Sequence, residues 1–457
     1  MKKKIVLINP WIYDFTAFDL WARPVGLLYL AAIIKKHTEN TDLYFIDCLD
    51  RFSEKVRKKL RFPKSKEDGR GKFYKEKIKK PSILKEIPRY YSRYGITEDM
   101  FKEELEKIGE ADIYLVTSTM TYWYPGVHRV IEIIKRNFPK SKVWLGGIYP
   151  SLLTEFAKKH SKADLVFKGH AENSIIPLLK EAGFKVKNTP FFKNIDELPY
   201  PLFALQSKHP YLPFMTSIGC PYRCPYCATK ILSPVFFQRK AENLVKELKF
   251  YKERYSIEHI VFYDDALLVN KKKRLIPMLK ELKKMGLNFT FHTPNGIHIR
   301  EIDKETAEIM YESNFKTIRL SLEIGVEELT DRLAPKLKLD DFEKAVKNLV
   351  DAGFSKKQLE TYILFGHPLQ NAKIIESSIN FVSQYEVPIS LSYFSPIPGT
   401  EDYKELIKKG ILKENDDPLF QNKIVFVYLK SNLNSEEIKY LKELVSNHNK
   451  KIKLDKK

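Results

Sequence analysis

Three cysteines fall within eight positions in the run Gly219-Cys220-Pro221-Tyr222-Arg223-Cys224-Pro225-Tyr226-Cys227. Thiolates are soft ligands, and a Cys-x3-Cys-x2-Cys loop selects an iron–sulfur cluster or zinc. A structural zinc site takes four ligands. The only other cysteine in the chain is Cys48, far upstream. His209 lies eleven residues before Cys220, a poor fit to compact zinc spacing. Three thiolates leave a [4Fe-4S] cluster with one iron open to a further ligand, and that reading fits the ligand count better than zinc completed by a histidine.

The elements that must position this loop follow from hydrophobic periodicity. With 457 residues the chain is long enough for two or three domains. Apolar runs at Ile5–Asn9, Leu43–Asp47, Ile113–Ser118, Lys142–Leu145 and Asp164–Phe167 predict buried strands. Helical patterns lie between several of them, from Pro24 to His37 and from Pro125 to Asn137. This alternation predicts a parallel, doubly wound α/β sheet over 1–187, with ligands at the carboxyl ends of its strands. Prolines 190, 199, 201 and 210 mark 188–210 as a linker. Six further strand–helix units follow, with strands at 213–217, 259–263, 288–292, 317–323, 359–365 and 389–394. They predict a partial (β/α)6 barrel over 211–405, whose loops at the strand ends carry the chemistry. The cysteine run directly follows the first of these strands. Residues 406–457 read as a short helical tail with a frayed, Lys-rich end.

Charge bounds the partners. Lys and Arg number 79 against 58 Asp and Glu, a net charge of +21. Residues 51–94 hold 17 basic and 5 acidic residues, a net +12, interleaved with Phe73, Tyr74, Tyr90, Tyr91 and Tyr94. We read this segment as an insertion: a solvated excursion, or a grip for a nucleic acid or anionic substrate. Four cysteines are too few for a disulfide framework. The chain opens on Met1-Lys2-Lys3-Lys4 and reaches Pro10 without a secretory apolar run, and no run is long enough to span a membrane. The expectation is a cytoplasmic protein.

The cysteine run, with aromatic Tyr226 before its last Cys, resembles the radical S-adenosylmethionine (SAM) superfamily. In that family the open iron chelates SAM, which is cleaved reductively to a 5′-deoxyadenosyl radical. The segments after the cysteines support the resemblance in order, each at a strand end. Asp264 and Asp265 stand where the family helps hold the amino group of SAM. Thr293-Pro294-Asn295-Gly296 resembles the turn of cobalamin-type members. Ser321 and Glu323 stand at the position of polar contacts to SAM. Gly366 is expected to let backbone approach the adenine, and Pro396-Ile397-Pro398-Gly399-Thr400 resembles another family segment. The resemblance therefore implies that Cys220, Cys224 and Cys227 hold the cluster. It implies a SAM site of Tyr226, Asp264, Asp265, Ser321, Glu323, Gly366 and Pro396. No catalytic role is assigned to His292, His298 or His367, and Tyr222, Tyr263 and Tyr393 are expected to pack.

Arg23-Pro24-Val25-Gly26-Leu27-Leu28-Tyr29-Leu30-Ala31 resembles a helix of cobalamin-binding-like domains, of the Rossmann or flavodoxin type. Later turns around Gly146-Gly147 and Gly169-His170-Ala171-Glu172 do so too. The resemblance implies cobalamin contacts from Asn9, Gly26, Thr117, Ser118, Gly146, Gly147, Gly169 and Glu172. One departure matters: the Asp-x-His-x-x-Gly motif is absent, and Asn9-Pro10-Trp11 stands in its region. The expected function is cobalamin-dependent methyl transfer to an unactivated carbon, with an electron donor such as ferredoxin or flavodoxin. The alternative is a cobalamin-independent radical SAM enzyme doing rearrangement, cyclisation or thiolation. A third reading is a basic nucleic-acid-binding protein with a structural metal.

Overall fold

Ile5-Val6-Leu7-Ile8 is an unbroken apolar run, as expected of a strand covered on both faces. It forms the middle of β1 (Lys3–Asn9). The computed structural model describes residues 2–333 and 338–454, and the chain divides into two compact units, Met1–Pro210 and Tyr211–Lys457. In the first unit β1 pairs in parallel with β2 (Thr41–Asp47) and β3 (Ile113–Val116); β4 (Lys142–Leu145) and β5 (Leu165–Val166) extend the sheet, in the order β2-β1-β3-β4-β5. Ile5 and Leu7 pack against α1 (Val25–His37) through Leu27, Ala31 and Ile34. Val6 and Ile8 turn the other way, into a core with Phe101 and with Val127 and Ile131 of α2 (Tyr124–Asn137).

The basic segment is more ordered than a wholly solvated excursion. Lys75–Lys77 pairs with Ser92–Tyr94, which pairs with Ile12–Asp14, all antiparallel. Arg51 is buried and meets buried Asp19 at 2.8 Å. Residues 188–210 are not a free linker either. Leu202 N donates to the Leu28 carbonyl at 3.0 Å, Ser207 Oγ donates to Asp50 at 2.8 Å, and Phe203 is fully buried. The prolines there shape a strap packed on the first unit.

In the second unit six parallel strands lie side by side in chain order: β6 (Leu212–Phe214), β7 (His259–Phe262), β8 (Thr290–His292), β9 (Phe315–Glu323), β10 (Leu359–Phe365) and β11 (Ile389–Tyr393). Phe262, Phe291 and Phe315 stack from strand to strand, with the Phe262–Phe291 and Phe291–Phe315 centroids 5.2 Å apart. Among the described residues no helix is long and apolar enough to cross a membrane.

The tail is helical, as expected, and its last helix reaches residue 454; residues 455–457 lie outside the described residues. It is not frayed through 406–454: three helices follow the barrel, α4 (Glu401–Lys408), α5 (Lys423–Lys430) and the 20-residue α6 (Ser435–Leu454), numbering Ala241–Tyr255 as α3. Ile438 and Leu441 of α6 are buried. Asn449 closes the open edge of β11, donating to the Ile389 carbonyl at 2.8 Å and accepting from its N–H at 2.9 Å. An unpaired strand edge is a liability, and one amide side chain covers both groups here. Asn449→Ala leaves both half-buried groups without these partners, so the denaturant midpoint falls by about 1–3 kcal/mol of stability, with an unchanged slope.

Candidate active site

The cysteine loop leaves the carboxyl end of β6, and its stem is held by two buried ion pairs. Asp264, just past β7, accepts from Thr216 N at 3.0 Å, from Thr216 Oγ1 at 2.6 Å and from Ser217 Oγ at 2.6 Å. Arg274 completes this pair at 3.3 Å and also donates to Thr216 Oγ1 and to the Leu267 carbonyl. On the other side, Arg239 N donates to the Thr216 carbonyl at 3.0 Å and its guanidinium to the Met215 carbonyl at 3.1 Å. The Arg239 guanidinium meets buried Glu247 of α3 at 2.6 Å. The chain then turns at Gly219, where φ is +79° and a Cβ would stand 2.7 Å from the Val235 carbonyl oxygen. Only glycine makes that turn without strain.

Cys220, Cys224 and Cys227 line one cavity of about 450 Å³, together with Tyr226, Asp265, His298 and Glu323. The family resemblance implied Tyr226, Asp265 and Glu323 as site residues, and the fold brings these three together with the thiols. Glu323 reaches the cavity through an irregularity: the β9–β10 register shifts between Ser321 and Glu323, and Glu323 takes a left-handed φ of +68°. A non-glycine residue held there is strained, a feature that clusters at functional sites. Ser321 lies behind it and donates to its carboxylate at 2.7 Å. The Asn295-Gly296 turn supports the same corner. Asn295 donates to the Tyr263 carbonyl at 3.1 Å, and a Cβ on Gly296 would meet Ser321 Cβ at 2.8 Å. His298 packs edge-on against Tyr222 of the cysteine loop, at 4.4 Å.

Besides Ser321, three expected SAM residues stand outside the cavity lining. The Asp264 side chain is fully buried and engaged in holding the loop stem, so it does not face the cavity. Gly366 does take a positive φ, +79°, but what approaches it is Val427 of α5, 2.6 Å from where a Cβ would be. Pro396 is buried, and Gly399, Thr400 and Glu401 from the end of the same segment line the cavity instead. Both residues lie in the loop just past β7, which sends Asp264 under the cysteine-loop stem and Asp265 to the cavity. Asp265 lines the cavity and keeps contact with solvent while protein crowds around its carboxyl. That partial desolvation and the Asp264 charge push its carboxyl up to about 6. Sequence reading missed Arg239, Arg274 and the cavity cations Lys230 and Lys404, and it named His298 without giving it a role.

The donor set fits an iron–sulfur cluster. Among the described residues no three His, Cys, Asp or Glu side chains converge as ligands of a single ion. A cubane spreads its irons over separate corners, so three thiols around one cavity suit it better than they suit one zinc. The Tyr226 hydroxyl is buried on the cavity wall with no hydrogen-bond partner among the described residues, a polar atom ready for a ligand. Cys48 is different in kind: buried in the first unit's core, its thiol is pushed well up by burial and is inert.

In the first unit, Asn9, Thr117, Ser118, Gly146, Gly147 and Gly169 all sit just past the carboxyl ends of β1, β3, β4 and β5. Asn9 donates to Asp47 at 2.7 Å, and burial with the nearby Asp50 charge pushes the Asp47 carboxyl up to about 6. Ser118 and Gly147 serve each other: Ser118 Oγ donates to the Gly146 carbonyl at 2.9 Å, and a Cβ on Gly147 would stand 2.3 Å from the Ser118 carbonyl oxygen. Gly26, in the first turn of α1, together with Gly146 and Gly169, has open space where a Cβ would be, which leaves backbone accessible to a large flat ligand. Glu172 is half-buried beside His170, 3.7 Å away.

Residues 215–382 match the family model of the Radical SAM superfamily. Uncharacterized methyltransferase PH0819 of Pyrococcus horikoshii is 24% identical over 354 residues, which cover 70% of this chain and 75% of the relative. Cytidylyl-2-hydroxyethylphosphonate methyltransferase of Streptomyces wedmorensis is 20% identical over 477 aligned positions, covering 90% and 83%. The structure of the radical S-adenosylmethionine methyltransferase TsrM from Kitasatospora setae, with cobalamin and a [4Fe-4S] cluster bound, superposes with a TM-score of 0.61 at 12% identity, covering 90% of this chain and 75% of that one.

Removing one partner of a buried ion pair strands the other, at about 3–5 kcal/mol. Asp264→Ala is therefore expected to lower the melting temperature sharply and to reduce iron retained after reconstitution. Asp265→Asn leaves both near wild type. Calorimetry with an iron assay on the two variants checks this.

Proposed function

We propose that this chain, whose residues 215–382 match the Radical SAM family model, is a radical SAM enzyme and a cobalamin-dependent methyltransferase acting on an unactivated carbon. The observation that carries this is the pairing of two units. One presents three thiols around a single cavity at the barrel's strand ends. The other is a flavodoxin-type sheet with an open, glycine-lined carboxyl edge. The Streptomyces wedmorensis methyltransferase aligns over 90% of the chain and so over most of both units.

Cys220, Cys224 and Cys227 hold the cluster. When bound, the cluster supplies the electron that cleaves S-adenosylmethionine, and cobalamin supplies a methyl carrier. The chain's own residues bind and orient. Asp265 and Glu323 place carboxylate oxygens in the cavity, where they attract a sulfonium cation and accept from an amino group. Tyr226 offers its buried hydroxyl. Ser321 orients Glu323, and Asp264 fixes the loop stem. Gly366 and Pro396 shape the loops above the strands. Asn9, Gly26, Thr117, Ser118, Gly146, Gly147, Gly169 and Glu172 are the cobalamin-facing set. The substrate is a small molecule, and the electron comes from a ferredoxin- or flavodoxin-type donor. Free thiols suit the reducing cytoplasm.

One observation favours a second reading without cobalamin. Where a cobalt-ligating histidine would follow β1, Trp11 is buried and donates to the Ile96 carbonyl at 2.7 Å, so this loop offers no imidazole. Product analysis separates the two. With SAM and a reductant, the methyltransferase releases both S-adenosylhomocysteine and 5′-deoxyadenosine, and Cys224→Ala releases no 5′-deoxyadenosine. 5′-Deoxyadenosine without S-adenosylhomocysteine supports the second reading and contradicts the first.

The acidity of Asp265 gives a further expectation. Its carboxyl is neutral below about pH 6 and charged above it. Affinity for cationic SAM therefore rises with pH, and falls about tenfold between pH 7.5 and pH 5, where roughly one molecule in ten holds the charged form. Calorimetric titration with SAM checks this, and Asp265→Asn is expected to flatten the dependence.

A further inference from the structure

A buried pair grips the cysteine loop from behind. Asp402, in the first turn of α4, donates its backbone N–H to the Pro225 carbonyl at 3.1 Å, between the second and third cysteines. Its carboxylate accepts from His367 Nε2 at 2.9 Å, and both side chains are almost wholly buried. His367 Nδ1 accepts from Leu369 N at 3.1 Å. A ring nitrogen that accepts from a backbone N–H carries no proton, so the hydrogen-bond network assigns His367 as neutral, with its proton on Nε2. A neutral imidazole bonded to an ionised carboxylate leaves one negative charge. The histidine is itself fixed: Phe394 packs edge-on at 4.6 Å, and Gln370 ties the turn back to the Leu364 carbonyl at 2.9 Å.

The charge is only partly offset nearby. Behind the loop lies a second cavity of about 410 Å³, lined by Arg223 and Arg332 against four carboxylates, Asp402 among them. Cluster potentials are set by net charge, hydrogen bonding and exposure near the sulfurs. A burial that costs several kcal/mol for an isolated carboxylate is here offset by the helix N-terminus and the histidine.

We propose that His367 and Asp402 are positioning residues for the cluster loop: they fix the Pro225 carbonyl between Cys224 and Cys227, and their single negative charge lowers the reduction potential of a cluster held by the three thiols. This rests on the radical SAM reading of the same site.

The test is an EPR-monitored redox titration of anaerobically reconstituted full-length protein, with release of iron to a chelator as a second readout. Asp402→Asn keeps the backbone bond to Pro225 and an acceptor for His367 but removes the charge. It is expected to retain wild-type iron and shift the midpoint to more positive potential. His367→Leu removes the side-chain bond that holds Asp402 in place beneath Pro225 and is expected to release iron several-fold faster, whereas His367→Gln, which keeps a donor, stays near wild type. A midpoint in Asp402→Asn equal to or below wild type overturns the charge role. Wild-type release from His367→Leu overturns the positioning role, whether or not Asp402→Asn folds. A wild-type protein that takes up no iron removes the cluster reading itself, and this proposal with it.

Discussion

The carboxylate of Asp264 is the interaction on which the site depends. It binds a backbone N–H and two hydroxyls at the root of the cysteine loop, and its charge is met by Arg274. A loop carrying three thiols around an open cavity cannot be fixed by its own packing, because a cavity has no core. Order must be imported from below, through buried, paired polar groups. Arg239 and Glu247 supply the same service on the opposite side. The result is a rigid stem under a chemically open loop, with catalytic groups brought from successive strand ends.

Charge is then distributed by depth. Asp264 is spent on structure, while its neighbour Asp265 keeps a carboxyl in the cavity whose acidity is weakened by burial and by Asp264 itself. Glu323 is turned inward by a register shift and a strained backbone. Lys230 and Lys404 line the same cavity. Such a mixed lining suits a zwitterionic, cationic ligand beside a negatively charged cluster better than it suits an apolar one.

Much of this was legible in the sequence, for identifiable reasons. Ile5–Ile8 and the alternating runs of the barrel carry hydrophobic period directly, so the sheets could be read from composition and spacing. The cysteine loop is local, so its chemistry travels with its spacing. What failed to show was long-range. Arg274 closes the run Lys271-Lys272-Lys273-Arg274, which reads as a wet surface, yet Arg274 is 2% exposed because Asp264 lies across from it. Which of Asp264 and Asp265 faces the cavity is set by the path of the loop after β7, which adjacent identical residues do not reveal. Gly366 signalled a close approach correctly, but the approaching group is Val427 from a helix in the tail. Its end looked frayed because lysines outnumber apolar residues over 446–457; the helical spacing of Ile438, Leu441 and Val445 was the signal for a packed helix.

The central claim is that the three-thiol loop holds an iron–sulfur cluster in a chain that also binds a corrinoid. The most direct measurement is the visible spectrum of protein purified without oxygen, reconstituted with iron and sulfide, incubated with hydroxocobalamin and desalted. The account predicts a broad iron–sulfur shoulder with corrinoid bands co-eluting with the protein. A protein that carries one zinc, no iron and no corrinoid would contradict it.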